Sequence, residues 1–127
     1  MIFPNTKLVC KDNSGASIVK CIGILKSSRL WGANVGNWIV ISVSSCSKGL
    51  RKIQKGSIHY ALIIKVKKKL SWVSKTGEYI SFNENAVVLL SKKLNFQPLG
   101  TWVFGPVARE IWQSNFLKIV LLSSGIF

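Results

Sequence analysis

Three groups of residues in this chain could do chemistry. The first is Asp12-Asn13-Ser14-Gly15, where a serine stands two residues from a carboxylate. The second is His59, the single histidine. The third is the lysines, grouped in three places. A nucleophilic serine needs a base, and the base needs a group that orients it. His59 lies far from Ser14 in sequence, inside the apolar run "SIHYALIIKV", and neither a G-x-S-x-G elbow nor a phosphate-cradling glycine loop is present. Paired carboxylates cannot be assembled from Asp12, Glu78, Glu84 and Glu110, which are scattered. Asp12-Asn13-Ser14-Gly15 therefore reads as a turn. Asp and Asn can hydrogen-bond the backbone locally, and Gly15 can take positive φ.

The lysines carry more information. The chain has 18 Lys+Arg against 4 Asp+Glu, a formal net charge of +14 over 127 residues. Between Asn13 and Gly77 there is no acid, yet twelve basic residues fall there. Such a field repels itself unless a polyanion neutralises it. Nucleic acid is the first candidate, an anionic membrane surface the second. Fifteen of the eighteen basic residues are lysine. Lysine meets phosphate as a point charge, which suits backbone recognition over base readout. The clusters are 26–36, with Lys26, Arg29 and Trp31; 47–56, with Lys48, Arg51, Lys52 and Lys55; and 65–75, with Lys65, Lys67, Lys68 and Lys69. Strand periodicity places Lys65, Lys67 and Lys69 on one face. A charged run is often only a solvated face, but these three lack balancing acids. Trp31 and Trp72 stand among them and could stack on an unpaired base; packing under a loop is the plainer reading.

The elements that must position these groups are strands. "TKLVC" (6–10), "SIVKCIGIL" (17–25), "NWIVISVS" (37–44), "SIHYALIIKVKKK" (57–69), "EYISF" (78–82) and "NAVVLLS" (85–91) are apolar or alternating runs separated by Gly, Asn and Ser. In the third, Ile39, Ile41 and Val43 share one face, and Trp38, Val40 and Ser42 the other. This spacing predicts a mainly β fold, a small barrel or sandwich. Helix is expected only in "PVAREIWQSNFLKIVLLS" (106–123), where Pro106 suits a first turn. The length suits a single domain over 1–127. Cys10, Cys21 and Cys46 show no metal spacing and are odd in number, so buried, reduced thiols are expected, with no metal and no cofactor. The longest uncharged stretch, 30–47, contains Asn34, Asn37, glycines and serines, so no membrane span is expected.

At this point the residues resemble a known family, universal large-subunit ribosomal protein fourteen. The resemblance runs end to end. It is carried by "DNSGA" (12–16) followed by Cys21-Ile22, by "GANVGNWIVISV" (32–43), by "KIQKGSIHYALIIKVKK" (52–68), and by "FNENAVVLL" (82–90). Its most specific piece is "QPLGTWVFGPVAREI" (97–111). It implies a five-stranded β-barrel over about 1–104 with a projecting basic hairpin, and short helices over about 105–127. It implies a structural, non-enzymatic role: binding large-subunit rRNA, bridging to small-subunit rRNA at the subunit interface, and touching neighbouring large-subunit proteins. It also implies a surface for a ribosome-silencing factor, on which Thr101 and Lys118 fall, with Arg109 near the interface.

Departures from the pattern are expected to matter. Asn37 and Ser57 replace common acids, Thr76 replaces Asp or Asn, and the hairpin between Ile64 and Gly77 is slightly long. Trp102 replaces a basic residue, which suggests a protein partner absent from bacteria. The chain starts almost on the family pattern, so no cleaved leader is expected. Its richness in Ile, Lys, Phe and Ser fits an A+T-rich genome. A mitochondrial, organelle-encoded protein is expected, with plastid or bacterial origin as alternatives. The reading from a different class is a free-standing basic barrel that binds nucleic acid outside any ribosome.

Overall fold

A computed structural model describes residues 2–24, 32–33, 35–46, 53–67, 84–91, 97–100, 102–105, 107, 119, 121 and 123. It contains β1 (Lys7–Cys10), β2 (Ala16–Ile24), β3 (Trp38–Cys46), β4 (Ile58–Lys65), β5 (Ala86–Ser91) and the two-residue β6 (Gln97–Pro98). β1 to β5 form an antiparallel meander. A parallel pairing of β1 with β5, Val9 opposite Ala86 and Cys10 opposite Val87, closes it into a five-stranded barrel. β6 pairs with the far end of β5. The expected strands 78–82 lie outside the described residues. So does most of 106–123, of which Ile119 and Leu121 are helical.

Local chemistry explains the elements. β3 alternates as expected, with Ile39, Ile41 and Val43 inside and Trp38, Val40 and Ser42 half-buried outside. β4 and β5 do not alternate: Ala61 to Lys65 and Ala86 to Leu90 are buried residue after residue. These strands are therefore covered on both faces, which is why their sequences are continuous apolar runs. Ile2, Val103, Val107 and Ile119 join the same core. Each fully buried Ile, Leu or Val contributes about 1.5–3 kcal/mol relative to an exposed one.

Turns fix the register. In Phe3-Pro4-Asn5-Thr6 the Thr6 N–H donates to the Phe3 carbonyl at 3.2 Å, with Pro at the first central position. Asn5, with φ of 73°, takes the second, as a type II turn requires. Asn5 N–H donates to the Cys21 carbonyl and Cys21 N–H donates to Thr6, so two residues oppose one and the strand bulges. Between β3 and β4, Ser57 N–H donates to the Gln54 carbonyl at 3.2 Å and Gly56 has φ of 84°, again a type II turn, with Lys55 at its tip.

The Asp12 turn is the fold's polar pin. Asp12 is buried, and four donors reach its carboxylate. Oδ1 accepts from the Cys10 thiol (3.0 Å), the Ser14 N–H (3.2 Å) and the Ser14 hydroxyl (2.5 Å). Oδ2 accepts from the Leu89 N–H of β5 at 3.0 Å. Gly15 has φ of 117°, as the turn reading required. Asn13 clasps the segment after β6: its Oδ1 accepts from the Trp102 N–H at 3.1 Å, and its N–H donates to the Trp102 carbonyl at 3.3 Å. A methyl group on Gly100 would come within 2.6 Å of that Oδ1, so only glycine fits there. Asp12→Ala leaves the Leu89 N–H and both Ser14 donors without their acceptor. It should cost about 2–4 kcal/mol. Asp12→Asn, which keeps one oxygen, should cost less; the urea unfolding midpoint of the purified protein reads both.

Candidate nucleic-acid interface

Three expected phosphate contacts fall within the described residues, and they differ. Lys55 is exposed at the tip of the β3–β4 turn. Lys67 is exposed just past β4, and its backbone is held because its N–H donates to Asn85 Oδ1 at 2.9 Å. Lys65 is 6 % exposed. The expectation that Lys65 shares an outward face with Lys67 and Lys69 is therefore corrected at Lys65. The β4–β5 pairing shifts register between Ile63 and Lys65, and the end of the strand is covered on both sides, so simple alternation fails there. Arg29, Trp31, Lys48, Arg51, Lys52, Lys68, Lys69 and Trp72 lie outside the described residues, as do Thr101, Arg109 and Lys118.

Lys65 belongs to a small charged cluster under the 103–105 segment. Lys11 pairs with Glu84 at 3.1 Å, and the Phe104 N–H donates to the Lys11 carbonyl at 2.7 Å. Gly105, with φ of 80°, lies so close that an added methyl would stand 3.4 Å from Lys65 Nζ. Burial lowers the Lys65 pKa from its ordinary value; the negative charge of Glu84 opposes that fall and the positive charge of Lys11 adds to it. Above this cluster Trp102 is 59 % exposed and Phe104 is exposed on the same side, with buried Val103 between them. The Asn13 clasp holds Trp102 in place from beneath.

The groups weighed for catalysis are engaged elsewhere. Ser14 donates its hydroxyl to Asp12 inside the turn. His59 Nε2 lies 3.0 Å from Ser57 Oγ, on its own strand side of the barrel. Burial lowers the His59 pKa. Cys10 and Cys21 are buried free thiols, as expected, and both pKa values are raised, first by burial. For Cys10 the Asp12 charge adds to the rise. Cys46 departs from the expectation: it is only half-buried, with its thiol donating to the Ile53 carbonyl at 3.3 Å. Among the described residues, no three His, Cys, Asp or Glu side chains are placed to hold a metal ion. Among them, too, no helix is long and apolar enough to cross a membrane.

Lys7, Lys11, Lys20 and Glu84 are not among the site residues expected from the sequence. Lys7 and Lys20 stand outward on β1 and β2. The alternation Ile18-Lys20-Ile22 was the available signal for the second.

Among the described residues, a closed barrel thus carries exposed Lys55 at a turn tip and Lys67 past a strand end, with the exposed Trp102 clasped onto it by Asn13. The family model for ribosomal protein L14p/L23e matches residues 1–127, and the chain belongs to that family. Its role is that of a structural ribosomal protein.

The single histidine allows a clean pH test. The folded chain resists protonating His59, whereas the unfolded chain takes a proton below about pH 6.5. Stability should therefore fall as pH drops from 7 toward 5. His59→Gln should flatten that slope in urea titrations at the two pH values.

Proposed function

We propose that this protein binds large-subunit rRNA through its basic loops and stands at the subunit interface, bridging to small-subunit rRNA. The observation that carries this reading is the pairing of a full-length family match with a net charge of +14, twelve of the basic residues falling in the acid-free stretch between Asn13 and Gly77. Among the described residues, Lys55 and Lys67 are the ones proposed to meet phosphate, both exposed on backbone that hydrogen bonds hold. Arg29, Trp31, Lys48, Arg51, Lys52, Lys68 and Lys69 complete the surface, and Lys65 supports the strand end from inside. Thr101, Arg109 and Lys118 belong to the interface side together with Trp102. The large exposed indole favours a protein neighbour there, and a ribosome-silencing factor is one candidate. The barrel comprises about 1–104, and a helical segment follows over about 105–127. The chain performs no catalysis and needs no cofactor. Its composition favours the mitochondrial ribosome over a plastid or bacterial one.

Sedimentation separates this reading from a barrel working outside the ribosome. The endogenous protein should travel with large subunits at moderate salt; recovery at the top of the gradient would overturn the proposal. For the purified protein and a large-subunit rRNA fragment, log affinity should fall linearly with log salt. Lys55→Gln and Lys67→Gln should each reduce that slope by about 0.7–0.9, whereas Lys65→Gln should act mainly on stability. Trp102→Ala should change stability by less than about 0.5 kcal/mol, since the ring is exposed. It should weaken subunit joining or partner capture, measured by light scattering of reassociating subunits.

A further inference from the structure

Lys7 on β1 and Lys20 on β2 are direct cross-strand partners, and both point outward. Cys21 N–H donates to the Thr6 carbonyl at 2.9 Å, which makes Thr6 and Cys21 a hydrogen-bonded rung. The next rung, Lys7 with Lys20, is then non-hydrogen-bonded, the kind in which opposed side chains come closest. Two ammonium groups so placed repel each other. Among the described residues the acids do not relieve them: Glu84 pairs with Lys11, and Asp12 is committed within its turn.

The same rung continues outward to Ser42 on β3 and Ile58 on β4. On β2, Ile18 and Ile22 flank Lys20 and are exposed, and Ile58 is 66 % exposed. Two adjoining cations thus sit in a field of three exposed isoleucines. Large apolar groups gathered on one face mark contact with another macromolecule.

Charge and hydropathy select the occupant. A phosphate backbone would satisfy the lysines but leave the isoleucines against a hydrated, charged chain. A second copy docked symmetrically would set one lysine pair against another. A strand cannot be added here, because β2 and β3 are hydrogen-bonded on both sides within the closed barrel. A segment bearing one or two carboxylates among apolar residues answers every feature: a carboxylate bridges the two ammonium groups, and the apolar neighbours cover the isoleucines.

We propose that this outward face of β1, β2 and β4 docks an acidic-apolar polypeptide segment of a neighbouring large-subunit protein. The proposal rests on the ribosomal reading above. Its test is zero-length carbodiimide coupling on purified large subunits, which joins an amine only to a carboxylate it touches. Mass spectrometry should find Lys7 or Lys20 linked to an Asp or Glu of another protein. The link should survive RNase treatment, and the Lys7→Glu/Lys20→Glu variant should lower its neighbour's retention about tenfold or more in a salt wash. Absence of the link overturns the proposal, whether the lysines acylate as freely as in the isolated chain or become reactive only after RNase, which would mark RNA as the occupant. The gradient that yields the subunits reports separately on the ribosomal reading. A protein missing from the large-subunit fraction fails that reading and this one together, and a protein present there with unlinked lysines fails this one alone.

Discussion

The structure turns on one buried carboxylate. Asp12 sits where the chain leaves β1 and turns back into β2, and its two oxygens face different ways. One gathers the donors of its own turn; the other takes the Leu89 N–H from a strand 77 residues away. A buried carboxylate without partners would be costly, so the turn, the thiol of Cys10 and the backbone of β5 must arrive together. The neighbouring Asn13 extends the arrangement to the segment after β6. The Ser-Asp pair that first suggested chemistry is thus occupied in joining three parts of the chain. The aromatic surface at Trp102 and Phe104 is aimed by that same joint.

Charge is sorted by how the barrel is covered. Lys55 at a turn tip and Lys67 just past a strand end stay in water. Lys65, only two residues before Lys67, is enclosed with Glu84 and Lys11 near. An enclosed ammonium can support the backbone of a glycine-containing segment, but a phosphate cannot reach it without displacing its cover. Proximity in sequence therefore does not make a basic patch; the covering of each side chain does.

Much of the fold was legible. β3 was readable to the residue because one of its faces is wet, so alternation survives in its sequence. The turn at Asp12 was readable because Asp, Asn and Gly have local reasons to be there. Three things were not. The role of Asp12 was hidden because its partner on β5 is remote. The burial of Lys65 was hidden because a strand covered on both faces loses its period-2 signature, and a register shift compounds the loss. The opposition of Lys7 to Lys20 was hidden because only the bulge at Asn5 and Thr6 sets the register that brings them level. Each miss is a long-range or register effect, which a linear reading of propensity does not contain.

The barrel closes by pairing its first strand with its fifth, in parallel. That pairing imposes an order of events on synthesis. When Cys10 leaves the ribosome that makes it, its partner Val87 is still to be added. At about 5–20 residues per second, the gap lasts roughly 4–15 s. During that interval the edge of β1 and the second oxygen of Asp12 have no partner, and the four-stranded meander cannot finish its core. A contact of such sequence separation also makes for slow folding of the complete chain. The four strands β1 to β4 are all made only once Lys65 has been added, and the outer edge of β1 stays unpaired until β5 follows. The pairing that seals the barrel also brings the Leu89 N–H to Asp12, next to the Asn13 clasp on Trp102, so barrel closure and the seat of the aromatic surface depend on the same late-made strand.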